Sequence, residues 1–368
     1  MTRSDPHSLY ALLLSAELPL DADILWVADE NMPPEALHQL SRFEQLTFLT
    51  NRADVYASAK NVLTLPAAVV CFSDFDFTDF NLASKKFDAI VYRISKERAV
   101  CHWVLNNTLP LLKPEGRLVL AGDKNDGIKS YVDKASTVLG FAGRAQKKGN
   151  GYIANLKVNT ARPIAECERL DDKNYPLSRN IGTLYGQTFS SKPGIYGWDK
   201  FDAGSRILVD TFYDWIKTLE DENTLKELTA LDLGCGYGLL SLALHNAGIG
   251  GIIATDNNAA AVAMCDLNLT NNHATNFTVT AADCGKGINT HADIVLCNPP
   301  FHQGFSIDSS LTARFIQAAA NTLRRQGVAF FVVNAFIPIE KVAQNHFKFC
   351  TTLFNNKQFK VLMLKHSA

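Results

Sequence analysis

The most constraining stretch of the chain runs from Ala292 to Phe301 and reads Ala-Asp-Ile-Val-Leu-Cys-Asn-Pro-Pro-Phe. An apolar run this short suits a buried parallel strand better than a globular helix. The two prolines that follow remove two backbone donors and fix φ at each, so regular pairing must stop there. The strand's carboxyl end is therefore a stiff corner with one amide side chain, Asn298, carbonyls without ladder partners, and one aromatic ring, Phe301. In open α/β sheets ligands bind at that end of the strands. Asn298 Oδ1 and the Pro299 carbonyl can together accept both hydrogens of an –NH2 group, while Phe301 stacks on a flat ring. Taken alone, such a stretch is more often a Pro-Pro loop closing a core strand, and a second motif is needed to favour the cradle.

That motif is Thr229-Ala-Leu-Asp-Leu-Gly-Cys-Gly-Tyr-Gly-Leu-Leu240. Ala230 to Leu233 read as a strand, Gly234, Gly236 and Gly238 as a tight turn, and Leu239 onward as a helix. Glycines let the backbone approach a ligand where a Cβ would block it. The spacing is G-x-G-x-G, not the dinucleotide G-x-G-x-x-G. Eighteen residues after Gly238, Asp256 ends the next strand, Gly251 to Thr255, where a carboxylate can take both hydroxyls of a ribose. In this order the three pieces reinforce one another.

The set resembles class I S-adenosylmethionine-dependent methyltransferases of the amino-methylating branch. Over roughly Pro193 to the end it is similar to the bacterial rRNA guanine-N2 methyltransferases, nearer their small-subunit (16S) branch. The shared pieces are Pro193-Gly194-Ile195-Tyr196, Phe201-Asp202-Ala203-Gly204-Ser205, NPPFHQG, Val333-Asn334-Ala335-Phe336, and the NAFIP and QFKV stretches. The resemblance implies S-adenosyl-L-methionine as cofactor and ribosomal RNA or a ribosomal subunit as partner. It implies that Gly234, Cys235, Gly236 and Gly238 pass the methionine and ribose, with Asp232 orienting the loop. It places Asp256 on the ribose hydroxyls, Asn257 beside the adenine, and Asp283-Cys284 at the adenine amino group. Asp202 would close over the methionine end, with Asn298 between cofactor and acceptor; Asn298, Pro299 and Phe301 are the catalytic set. Read as local structure alone, Asp202 is a helix N-terminal charge and Asp283 a turn aspartate. The chain departs from the family's pattern at Gly197-Trp198, where members carry Ser-Arg.

Length and composition fit this reading. A chain of 368 residues suits two domains, and 47% hydrophobic with 20% charged residues is ordinary globular composition. No run of eighteen apolar residues and no basic-then-apolar leader is present, so a cytoplasmic, membrane-free protein is expected; a monomer is expected besides. The eight cysteines are scattered without a C-x-x-C pair, which reads as buried thiols, and His302 lacks companions at metal spacing, so no metal is expected. The net charge of −1 argues mildly against RNA and leaves only local basic faces: Arg144/Lys147/Lys148, Arg324/Arg325 and Lys85/Lys86.

The two halves repeat one another. Phe87-Asp-Ala-Ile-Val-Tyr-Arg-Ile-Ser, a helix, then Pro-Glu-Gly-Arg-Leu-Val-Leu-Ala parallels Ala292-Asp-Ile-Val-Leu-Cys-Asn-Pro-Pro, a helix, then Arg-Gln-Gly-Val-Ala-Phe-Phe-Val. The first copy lacks NPPF, and its first strand ends Val27-Ala28-Asp29-Glu30 without a glycine loop. The expected fold is therefore α/β, two tandem Rossmann-like class I methyltransferase domains, the N-terminal one degenerate. Residues 1–160 form that degenerate, RNA-positioning domain, 161–193 a linker and hairpin lid, and 194–368 the catalytic domain. Asp29 and Glu30 are expected to repel a methionine carboxylate in the first copy. The alternatives are transfer to large-subunit rRNA guanine, to adenine N6 or to a protein glutamine, and, from another class, a non-catalytic RNA-binding assembly factor.

Overall fold

The computed structural model describes residues 6–161, 167–219, 222–300, 302–303, 306–307 and 309–367. Two compact units divide at Leu177/Ser178.

In the first unit the strands are β1 (Asp23–Ala28), β2 (Gln45–Thr50), β3 (Val69–Phe72), β4 (Phe87–Arg93), β5 (Leu112–Gly122), β6 (Phe141–Ala142), β7 (Gln146–Lys148) and β8 (Gly151–Val158). They form one sheet in the order β3-β2-β1-β4-β5-β8-β6, with β7 on β8. The first five run parallel and β8 returns antiparallel along β5. Each central strand is apolar on both faces because helices cover both, so Ile24, Leu25, Trp26 and Val27 are all buried. Part of the stretch expected as linker packs here: Asn106 exchanges hydrogen bonds with Leu170 N and O at 2.8 and 2.9 Å, and the Tyr175 hydroxyl reaches Asp74 Oδ1 at 2.5 Å.

The second unit begins with the hairpin β9 (Arg179–Leu184) and β10 (Gln187–Ser191). Its main sheet comprises β11 (Thr229–Leu233), β12 (Gly251–Asp256), β13 (Phe277–Ala281), β14 (Ala292–Cys297), β17 (Leu323–Asn334), β18 (Phe349–Asn355) and β19 (Phe359–Lys365); β15 (His302–Gln303) and β16 (Ser306–Ile307) pair only with each other. The order is β13-β12-β11-β14-β17-β19-β18, with β19 inserted antiparallel between β17 and β18. Pro299 and Pro300 end β14, as two missing donors require.

Both sheets have the same strand order and the same register. Ile24 pairs Ala89 as Ala230 pairs Ile294, and Arg117 pairs Lys157 as Val328 pairs Lys365. Even the register shift recurs, between Phe87 and Ala89 and between Ala292 and Ile294. Carried along the strands, this register puts Trp26 in the place of Asp232, Ala28 in that of Gly234, Glu30 in that of Gly236 and Arg93 in that of Asn298. The end of the first sheet is filled. The Arg93 guanidinium is buried against Asp29, with Asp126 Oδ2 at 3.9 Å, and Tyr10 donates to Asp29 Oδ1 at 2.8 Å. The expectation for Asp29 is corrected here: its carboxylate neutralises Arg93, so it does not stand as a free repelling charge.

Candidate active site

The expected site residues that the structure describes, Asp202 apart, lie at or just past the carboxyl ends of adjacent strands of the second sheet. After β11 the chain turns sharply: Gly234 N and Cys235 N both donate to Thr255 O, at 2.8 and 2.9 Å, and Gly238 N donates to Cys235 O at 2.8 Å. Gly234, Gly236 and Gly238 have φ of 86°, 54° and 88°, the left-handed region that side chains disfavour. Their surroundings differ. A Cβ on Gly238 would sit 2.9 Å from Cys265 Sγ and one on Gly234 3.2 Å from the Phe315 ring, whereas one on Gly236 would meet nothing. Gly238 and Gly234 thus allow close packing, and Gly236 fronts open space.

Asp256 ends β12 and binds the loop from below. Its Oδ2 accepts from Gly236 N at 3.0 Å and its Oδ1 from Asn258 N at 2.9 Å. Asn257 follows half-buried. Asn258 caps the next helix, Ala259–Asn271, and gives its Nδ2 to Gly194 O at 2.8 Å. The Pro193-Gly194 turn is thereby pinned beside Asp256, a role the sequence reading did not assign.

Asp232 is fully buried, accepts from Ser241 Oγ at 2.6 Å through Oδ2, and leaves Oδ1 with no hydrogen-bond partner among the described residues. Burial pushes its carboxyl up to about 7. The Cys235 thiol is raised by contact with Cys265 and by burial, so it is a neutral packing group and only its backbone serves the loop. Asp283 pairs with Arg314, and Cys284 beside it holds φ 46°.

Asn298 is the best-fixed side chain of the set. Its Nδ2 donates to Asp202 Oδ2 and to Ser205 Oγ, both at 2.8 Å. Asp202 caps the helix Ala203–Ile216, and the same Oδ2 accepts Ser205 N at 2.7 Å. An ionised carboxylate only accepts, so the amide nitrogen must face Asp202. Oδ1 is left on the other side, and no described residue bonds it or the carbonyl of the buried Pro299. Phe301 lies outside the described residues. Ser205 as second anchor was not singled out, although it stands in the quoted Phe201–Ser205 segment.

The β9–β10 hairpin, within the stretch expected as linker and lid, is tied to the helix Ala259–Asn271 and its C-terminal cap. Buried Asn268 bonds Ser190 N, Ser190 O and Tyr237 O at 2.8, 2.8 and 2.7 Å, and Asn272 bonds Thr188 N and O at 3.1 and 2.8 Å. The hairpin also sets the Arg179 guanidinium 4.9 Å over the Trp198 ring. Arg324, a candidate RNA contact, is instead tied to Asp293 at 2.8 and 2.9 Å near the amino ends of β14 and β17, the far edge from Asn298.

A parallel sheet completed by one inserted antiparallel strand, with a glycine turn and an Asn-Pro-Pro corner facing each other at its carboxyl edge, is built to present an amine to a methyl donor, and the chain is a class I S-adenosylmethionine-dependent methyltransferase. The chain matches two models of the methyltransferase small domain family. The model of that domain matches residues 186–363 and that of the methyltransferase small domain N-terminal region matches residues 30–145. Among curated relatives, ribosomal RNA small subunit methyltransferase C of Shewanella loihica is 29% identical over 282 residues, 76% of this chain and 77% of that protein. The protein of the same name from Marinomonas sp. is 26% identical over 325 residues, 85% and 88% of the two chains. The T. thermophilus 16S rRNA N2 G1207 methyltransferase RsmC, solved with AdoMet and guanosine, shares the fold at TM-score 0.77 and 23% identity, covering 97% of this chain and 91% of that one.

The residues present fit that cofactor. Gly236 leaves room for it, since a Cβ there would meet nothing within 4 Å, and Asp256 sets a carboxylate, the acceptor that ribose hydroxyls need, at the end of β12 beside that opening. Among the described residues no group of three or more His, Cys, Asp or Glu is arranged for a metal ion, and no helix is long and apolar enough to cross a membrane.

Proposed function

We propose that the chain methylates the exocyclic N2 of a guanine in 16S rRNA of the small ribosomal subunit. The observation that carries this reading is the Asn298 amide, held by its Nδ2 on Asp202 and Ser205 so that Oδ1 is left to accept; with the carbonyl of the next residue, Pro299, it would supply two acceptors for one –NH2 group. The names of the curated relatives support the choice of small-subunit rRNA.

S-adenosylmethionine supplies the activated methyl group. What the chain adds is placement, worth about 7–11 kcal/mol when nucleophile and electrophile are aligned. The amino nitrogen of guanine is a poor nucleophile because its lone pair is delocalised into the ring. Accepting its hydrogens at Asn298 Oδ1 and Pro299 O moves density onto nitrogen and aims the lone pair. Those bonds strengthen as nitrogen becomes positive, so they act on the transition state. Gly236 and its neighbours would line the methionine and ribose, Asp256 would hold the ribose hydroxyls, and Asp232, bonded to Ser241, would orient the loop. Asn257 and Asp283-Cys284 flank the adenine. Asp202 anchors Asn298 while capping the helix that adjoins the methionine. The N-terminal unit, its pocket closed by Arg93, serves to position the RNA.

Tritiated methyl transfer to isolated small subunits, large subunits, DNA and a release factor tests the reading. Label confined to small-subunit RNA is expected; label in protein or in adenine would replace it.

A further inference from the structure

Of the exposed large apolar side chains among the described residues, the two most exposed are Tyr196 at 81% and Phe336 at 67%. Single exposed apolar residues are ordinary, but these two share a construction. Each stands beside a buried isoleucine, Ile195 or Ile337, in a hydrogen-bonded turn. Trp198 N donates to Ile195 O at 3.2 Å, and Ile337 N donates to Asn334 O at 3.0 Å. The isoleucine faces the core and the ring faces water, so each ring is presented on a stiff base.

The two turns bracket the site. The Tyr196 turn is pinned by Asn258, next to Asp256 at the end of β12. Phe336 stands two residues past Asn334, the end of β17, and the strand partner of Asn334, Phe359, lies against Gly204 between the two anchors of Asn298. Strands β11 and β14, which carry the glycine turn and Asn298, lie between. Cations accompany both rings. Arg179 and exposed Lys200 adjoin the Tyr196 turn, which also holds Asp199. Exposed Lys357 lies beside Gln358, whose carbonyl accepts Ala335 N at 2.9 Å.

We propose that Tyr196 and Phe336 are stacking platforms for the bases on either side of the acceptor guanine, with the RNA phosphates running past Lys200 and Lys357. The proposal rests on the RNA reading above. A guanine drawn out to reach Asn298 leaves its neighbours unstacked on one face. A flat exposed ring on each side restores that contact for any base, and nearby cations take the backbone.

The test uses the full chain and 16S rRNA of the small subunit, with alanine and tryptophan replacements at both positions. Loss of one ring is expected to raise KM for RNA roughly ten-fold, with kcat at saturating RNA within about three-fold. Tyr196→Trp and Phe336→Trp should restore KM, and unchanged S-adenosylhomocysteine affinity confirms the fold. On a short guanine-centred RNA with abasic flanks, wild type should fall to the level of Y196A/F336A, and that double variant should lose nothing further. Equal KM for wild type and double variant, or an equal loss for both on the abasic RNA, overturns the platforms and leaves the RNA reading standing. A wild-type enzyme that labels protein in place of RNA overturns both.

Discussion

Asn298 donates its side-chain amide to Asp202 Oδ2 at 2.8 Å across 96 residues of sequence. Asp202 simultaneously caps a helix through Ser205 N, and Ser205 Oγ takes the second amide hydrogen. The orientation of the Asn298 amide is thus set by the start of that helix. Asp202→Ala should cost about 1 kcal/mol of stability through the lost cap and lower kcat by up to about a hundred-fold through the freed amide. Asp202→Asn, whose oxygen can still accept both bonds, should recover most of kcat. Steady-state kinetics on ribosomal substrate with thermal melts decide it; an Asn variant as slow as the Ala variant would show that the charge of Asp202, not its geometry, matters.

Asp256→Ala should weaken cofactor binding by roughly two orders of magnitude, since hydrogen bonds to a charged group contribute about 1.5–3 kcal/mol each. The same change frees Gly236 N and Asn258 N, so the loop loosens as well. Calorimetry with S-adenosylhomocysteine measures it, and unchanged affinity would mean the acid plays another part.

The raised carboxyl of Asp232 makes a pH prediction. Its folded pKa, about 7, lies above the ordinary 3.8, so the folded state holds the proton more tightly. Stability of the cofactor-free chain should therefore fall as pH rises from about 4 to 7 and then level off, the single group accounting for up to roughly 4 kcal/mol. Melting curves of wild type and Asp232→Asn across pH 5 to 8 read this directly. The wild-type slope should exceed that of the variant; parallel curves would contradict the assignment.

The first unit should bind no cofactor. Trp26 and Arg93 occupy the places of Asp232 and Asn298, and Arg93 is already neutralised by Asp29. Titration of the intact chain should give one equivalent of S-adenosylhomocysteine; two equivalents would reopen the first pocket.

Much of this was legible in the sequence because it rests on local rules. Pro299-Pro300 must end a strand, the glycines at 234, 236 and 238 make a left-handed turn, and the Phe87 and Ala292 copies share a pattern that the two sheets repeat in strand order and register. What could not be read depends on contacts between distant segments. Nothing near Asp202 indicates that it reaches Asn298, and Asp29 looks repulsive until Arg93, 64 residues on, is brought against it. The bolting of the β9–β10 hairpin by Asn268 and Asn272 is likewise invisible, because asparagines in a helix usually face solvent or cap it.

The most direct test of the central claim is nucleoside analysis of small-subunit RNA after incubation with wild type and with Asn298→Ala. Wild type should form N2-methylguanosine. Asn298→Ala should form it slower by roughly a hundred-fold or more, with cofactor affinity within a few-fold. Methyladenosine in place of methylguanosine, label in protein, or an undiminished rate in the Asn298 variant would contradict the account.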